Sequence, residues 1–451
     1  MTSPRCRSKF AGLAALLGPA LATPSAAAAA EEAPASPAAA VEDFAVHGQA
    51  TFVEQATSDF NAPYRGTNSL SPRIARETFD ATLYLGARLW RDAEIWVNPE
   101  IDQGFGLDDT VGAAGFPSAE AYKVGRKAPY LRLPRLFVRQ TVSLGGERTP
   151  LPGEANQLAG EQSANRLVFT LGKFGVVDVF DNNRFAHDPR ADFLNWAAVD
   201  TAAFDYAADA WGYTVGAAAE WYQGAWTLRA GVFDLSNVPN SEHLEPGLHE
   251  LQGVLEIERR HELAGLAGKM MLTAFDSRGR MALLEDAVLL AQRTGNPVDT
   301  APVRRLRDRL GANVNIEQQL TSALGAFLHA GGAAGNVEAY EFTDVDQTVA
   351  GGLSLQGMRW RRSGDTVGVA AVRNEISGAR KRYLNAGGLG ILVGDGRLPH
   401  PRPEQILETY YDWALLPQLH ASLDYQYIRN PAYNGDRGPV SVFAIRMHTQ
   451  R

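Results

Sequence analysis

The stretch Glu77–Trp90 reads ETFDATLYLGARLW. From Phe79 every second residue is apolar: Phe79, Ala81, Leu83, Leu85, Ala87 and Leu89. Thr78, Asp80, Thr82, Tyr84, Gly86 and Arg88 stand between them. A period of two is that of a β-strand with one oily and one polar face. The alternation recurs in sixteen segments, near 44–55, 78–90, 94–102, 131–142, 166–174, 212–222, 226–235 and 250–259, then 269–275, 310–319, 323–332, 347–357, 366–374, 405–413, 419–428 and 441–449. In Trp226–Phe233, Thr227, Arg229 and Gly231 oppose Trp226, Leu228, Ala230 and Val232.

The connections have a rhythm too. Short links at 90–93, 222–226, 319–323 and 415–418 take turns with long ones at 56–76, 103–129, 174–211, 236–249, 276–309, 333–346, 375–404 and 429–440. Only 143–165 breaks the order. A soluble sandwich has no reason to lengthen every second loop, whereas outer-membrane barrels join strands by short periplasmic turns and long external loops. The pattern therefore predicts an all-β protein, a transmembrane antiparallel up-and-down β-barrel of about sixteen strands. Trp90, Trp221, Trp226, Trp413 and Tyr427 near segment ends fit interfacial aromatic girdles. Residues 282–294 (ALLEDAVLLAQRT) instead show helical spacing, which predicts a short helix in an external loop.

The N-terminus reads differently. Arg5, Arg7 and Lys9 precede the apolar run 10–22 and a small-residue zone at 25–30, the layout of a secretory signal peptide over 1–30. Residues 31–42 form an Ala/Pro-rich linker, leaving 43–451 as the barrel domain. Loss of three cations with the leader takes the net charge from -8 to -11, which argues against a nucleic-acid partner. The single cysteine, Cys6, falls in the leader, so the exported chain offers no disulfide, thiolate metal site or cysteine nucleophile. No later segment has 18 consecutive apolar residues, which excludes a helical span but not a barrel. No GxSxG, HExxH or paired-cysteine motif occurs, and the Gly-rich run AGGLGILVGDG lacks the Lys-Ser/Thr of a phosphate loop and reads as a plain external loop. No cofactor or metal is expected. Asp344 and Asp346 are too few for a calcium site.

Long stretches resemble the carbohydrate-selective porin family, the glucose-type outer-membrane porins of Gram-negative bacteria. Besides ETFDATLYLGARLW they include EIWVNPEIDQGFGL, AGFPSAEAYKVG, PYLRLPRLFVRQT, LGKFGVVDVFDNNRFAHDPRADFLNWA and LNAGGLGILVGDGRLPHP. The resemblance covers essentially the whole exported chain and implies a sixteen-stranded barrel for passive, selective entry of small sugars. Outer-membrane lipid and the barrel-assembly machinery are implied partners, and a homotrimer stays open. One departure is the end, HTQR, where Arg451 stands in place of the usual aromatic.

A sugar shows hydroxyl edges and apolar C–H faces, so a selective channel needs polar side chains in rows, an aromatic to stack on, and weak binding. Parity places Asp80, Tyr84 and Arg88 on one inward face, Glu94, Trp96, Asn98 and Glu100 on the next, Arg135 and Arg139 on the strand after, and Arg229 on the seventh. Arg132 falls on the opposite parity unless Pro134 marks a bulge. Facing carboxylates and guanidiniums would set up a transverse field. The resemblance implies a third external loop folded into the channel. In that loop Asn182, Asn183, Arg184, His187, Asp188 and Arg190 are candidate hydrogen-bonding groups, and Trp196 a candidate stacking ring. The competing readings are a secreted soluble carbohydrate-binding or carbohydrate-cleaving β protein and a barrel enzyme; the latter needs a Ser/His pair on its rim, which parity does not supply.

Overall fold

The computed structural model describes residues 41–122 and 124–451. The proposed leader and all but two residues of the proposed linker lie outside them. Sixteen antiparallel strands form one closed barrel. They are β1 (Phe44–Thr57), β2 (Ala75–Trp90), β3 (Ala93–Gly104), β4 (Arg126–Leu151), β5 (Gly160–Phe174), β6 (Thr214–Gln223), β7 (Trp226–Asp234) and β8 (Leu251–Leu263). The second half is β9 (Leu266–Met281), β10 (Arg305–Gln319), β11 (Leu324–Ala333), β12 (Gln347–Gly357), β13 (Arg362–Glu375), β14 (Glu404–Leu416), β15 (Leu419–Arg429) and β16 (Val440–Gln450). Each strand pairs with its neighbour in sequence, and β16 closes on β1 from Gln49↔Gln450 to Thr57↔Val442. The closing ladder runs one step further, where Arg451 N–H donates to the Gly48 carbonyl. Closure removes every sheet edge, as lipid requires of a spanning sheet. The helix expected over 282–294 forms over Leu284–Thr294.

The faces divide as the alternation predicts. On β2, Asp80, Thr82 and Tyr84 are buried inside, while Leu83 is 51% exposed outside; on β15, Leu423 is 66% exposed beside buried Asp424. An apolar exterior on a closed barrel overturns the soluble reading, because a water-facing barrel would carry its oily face inward. Trp90, Trp221, Trp226 and Trp413 are exposed beside the short turns and girdle that end.

The exception at 143–165 is part of a hairpin. β4 and β5 run past the other strands at the short-turn end, and their tip, 152–159, folds back under the barrel. Asn98 donates to Asn156 Oδ1 at 2.9 Å, and Leu158 N–H to Glu94 at 3.1 Å. Glu42, expected in a structureless linker, accepts the Ala159 N–H at 2.8 Å.

Two long loops fill much of the interior. Loop 105–125 reaches β14, where Glu404 accepts the N–H groups of Gly115 (2.7 Å) and Ala114 (3.0 Å). Loop 175–213 includes a one-turn helix, α1 (Trp196–Val199), and crosses to several walls. Glu256 on β8 accepts Asp181 N–H at 2.9 Å, Asn315 on β10 accepts from Asn183 at 2.7 Å, and Glu408 on β14 accepts Leu194 N–H at 2.5 Å. The hydrophobic core therefore lies within the barrel: Phe180 meets Phe233, Phe204 meets Phe275, and Phe193 meets Phe327 and Tyr410. The Gly-rich run 386–396 joins this filling, with Ile391, Leu392 and Val393 buried, and is not the plain external loop its composition suggests. Asp344 and Asp346, rather than waiting on a cation, pair with Arg380 at 3.3 and 2.9 Å.

Candidate functional site

Because the two loops press against β8–β16, the open volume is left beside β3–β7. Two chambers lie there. One of about 280 Å³ lies towards the long loops, bordered by Glu120, Arg135, Asp188, Arg190 and Tyr213. The other, of about 590 Å³, lies towards the short turns, bordered by Glu94, Arg139, Asn182, Tyr222 and Arg229. Asp178 and His187 border both.

The wall beside this junction is shaped by a bulge. Asn98 pairs with Arg135 and Glu100 with Arg132, so two residues of β4, Leu133 and Pro134, oppose the single Pro99 of β3. Neither proline has an N–H for the ladder, and a bulge is where a sheet tolerates that. The extra residue restores the inward direction, so Arg132 and Arg135 both face the interior although three positions apart. Arg132 pairs with Glu100 at 2.7 Å and with Asp102, and its guanidinium lies 5.0 Å over the Tyr122 ring. Arg135 donates through Nε and Nη2 to the two Asp178 oxygens at 2.8 and 2.7 Å. Burial would raise the Asp178 carboxyl, but Arg135 holds it below the ordinary carboxylate value. Burial likewise disfavours the His187 cation, yet Asp200, 3.4 Å away, together with Asp188 and Asp181, pushes the imidazole up to about 9. The junction thus carries Arg135, Asp178 and a cationic His187 at neutral pH.

Arg190 fastens the loop to the opposite side, donating to Asp80 (3.0 Å), Glu120 (3.2 Å) and the Tyr84 hydroxyl (3.4 Å). Arg139 pairs with Glu94 at 2.8 Å and donates to the Asn156 carbonyl at 2.7 Å. Arg229 reaches Glu220, Glu256 and Glu258 at 3.0, 2.7 and 2.9 Å.

All the strand residues expected to face inward do so, but several meet no open space. Trp96 is 0% exposed; its ring lies over Gly86, where a Cβ would stand 2.5 Å from it, so it cannot stack on a sugar. Tyr84, Asn98 and Glu100 are buried within the ion-pair and hairpin contacts. Arg88 donates to the Glu42 carbonyl at 2.6 Å and braces the hairpin. In the loop, Trp196 borders the smaller chamber, but it is 3% exposed and stacked on Phe116 at 5.2 Å, so it anchors the loop and presents little of its ring. Asn183 is likewise spent on Asn315, and Arg184 is exposed, its N–H bonded to Glu317 at 2.6 Å. Asn182, His187, Asp188 and Arg190 do border the chambers. Asp178, Tyr213, Arg166, Tyr222 and Lys269 were not singled out by the sequence. Inward parity would have found Tyr222 and Arg166, whereas nothing local marks Asp178.

A closed sixteen-strand barrel with an apolar exterior, girdled at one rim, and a charged interior passage defines an outer-membrane porin-type channel. The family model described as the carbohydrate-selective porin, OprB family, matches residues 71–450. The chain belongs to that family. Among solved structures it is similar to Pseudomonas putida OprB at high pH, with a TM-score of 0.70 and 16% identity over 91% of this chain and 94% of that one. The low-pH structure of the same protein is matched with a TM-score of 0.49 and 13% identity over 91% and 93% of the chains. No curated protein sequence matches. The function is accordingly that of an outer-membrane, carbohydrate-selective porin, with its short turns on the periplasmic side.

Proposed function

We propose that the protein lets small glucose-like sugars diffuse passively through the two chambers, and that the junction at Arg135, Asp178 and His187 selects among them. The observation that carries this reading is that two polar chambers share Asp178 and His187 where the loop meets the wall. Fixed donors and acceptors on both sides can replace a sugar's hydration while the mixed charge favours neutral solutes over ions. Arg139, Arg229, Asn182, Asp188, Arg190 and Glu94 line the approach; Trp96 and Trp196 hold the frame. The leader at 1–30 would deliver the chain to the barrel-assembly machinery, and outer-membrane lipid covers the outward face.

Liposome swelling tests the reading. Glucose should enter vesicles carrying the protein faster than a trisaccharide does. Absence of swelling with glucose, in vesicles where the barrel shows its heat-modifiable migration, overturns it.

A further inference from the structure

We infer that the chamber on the periplasmic side of the junction is a second saccharide site, with Tyr222 as its stacking platform and Arg166 as a displaceable cap; this rests on the sugar-channel reading above. Four observations carry it. The chamber, at about 590 Å³, falls within the roughly 300–1,000 Å³ of small-molecule sites. It has a floor, because the hairpin tip is held there by Asn98, Arg139 and Glu94. A simple exit would need none, whereas a site that detains a solute does.

The charges nearly balance. Arg139, Arg166, Arg229, Lys269 and, at the junction, the His187 cation face Glu94, Glu154, Asp178 and Glu220, so the chamber suits a neutral polyhydroxy solute better than an ion. Finally, the four Arg and Lys cations are not equivalent. Arg139, Arg229 and Lys269 are each paired with a carboxylate. Arg166 has no ion-pair partner among the described residues; it donates to the Ser163 carbonyl at 3.2 Å, and its guanidinium lies 3.7 Å over the Tyr222 ring. The ring is held in orientation by its hydroxyl, which donates to Glu220 at 2.7 Å. A cation resting on an aromatic face that water reaches is weakly held, and the bond to the Ser163 carbonyl can be exchanged for one to water, so the cap gives way. Once it swings aside, the ring face is free for sugar C–H groups, and the guanidinium and Gln162 can donate to hydroxyls.

Sugar-induced current noise in bilayers holding one oriented channel tests this, with glucose and then maltose added to one face at a time. Addition from the periplasmic side should give its own dissociation constant, and Tyr222→Ala should raise that constant by about three- to tenfold, the worth of one aromatic contact. Tyr222→Phe should stay within about twofold, since the ring remains. If Tyr222→Ala fails to assemble, Gln162→Ala is read the same way. Periplasmic binding untouched by the assembled variant overturns the second site while leaving the channel reading intact. Sugar noise from neither face overturns both.

Discussion

Arg135 on the barrel wall donates two parallel hydrogen bonds to Asp178 on the loop that fills the barrel. The fork of a guanidinium matches a carboxylate in a way that a lysine cannot. The pair therefore sets the position of the loop as well as the local charge. Asp178→Asn leaves the Arg135 charge uncompensated and loosens the loop at the junction. We expect a larger unitary conductance and a shift towards anion selectivity, read from reversal potentials in a salt gradient. Breaking a buried pair costs about 3–5 kcal/mol, but Asp178 is 28% exposed, so the loss should sit nearer the surface value of about 1 kcal/mol. Unchanged conductance and selectivity would remove the pair from the constriction. Arg135→Lys should behave like the broken pair.

His187 makes the junction sensitive to alkali. Asp200, with Asp188 and Asp181, favours its cation over the desolvation that opposes it, and it titrates at about 9 against an ordinary 6.5. The folded value is raised, so the stabilisation from protonating His187 is complete below about 6.5 and is lost as pH rises through about 9. Between pH 7.5 and 10 the junction should lose one positive charge and shift towards cation selectivity. His187→Gln should abolish that step. A step of the same size in the variant would assign it to another group.

How much of this could be read in the chain divides by physical cause. The strands were legible because lipid outside and polar matter inside enforce a period of two on β2, β7 and β15 alike. Inward direction was legible for the same reason, from Asp80 to Arg229. What the inward residues meet was not. Glu404 and Glu408 hold loop backbones and Trp96 covers Gly86, while Arg139 lines open volume, and alternation looks the same for all of them. The bulge at Pro134 was visible only as an unresolved parity of Arg132, because a bulge depends on the partner strand. The length of the β4–β5 hairpin was hidden by polar and glycine-rich residues with no oily face to alternate.

Trp96 gives a prediction opposite to its first reading. An inward Trp in a sugar channel invites a stacking role, but this ring is fully buried against Gly86 and beside His47. Trp96→Ala should leave a cavity and cost about 3–5 kcal/mol, seen as a lower temperature for loss of the compact gel species. Gly86→Val should cost about 1–3 kcal/mol by overpacking the same spot. Sugar affinity from noise analysis should change by less than about twofold in either variant that still assembles, because no binding energy is at stake. A larger change would return Trp96 to the sugar path.

Arg229 couples two parts of the interior. Three carboxylates converge on it, and one of them, Glu256, uses its other oxygen to accept the Asp181 N–H at 2.9 Å. Arg229→Gln leaves Glu220 and Glu256 without their cation and Glu258 with Arg260 alone, 2.7 Å away, so the carboxylates repel or take up protons. Either response weakens the seat of loop 175–213 at the end away from Arg190. The first expected effect is a shift towards cation selectivity, since the lower chamber wall loses a positive charge while Glu220 remains on it. The second is a rise in conductance as the loop loosens. Asp178→Asn releases the same loop nearby, so the two substitutions are not independent. If they act through one loop, the conductance gain of the double variant should fall short of the product of the single gains. A gain equal to the product would mean that Arg229 and Asp178 act separately, each on its own stretch of wall.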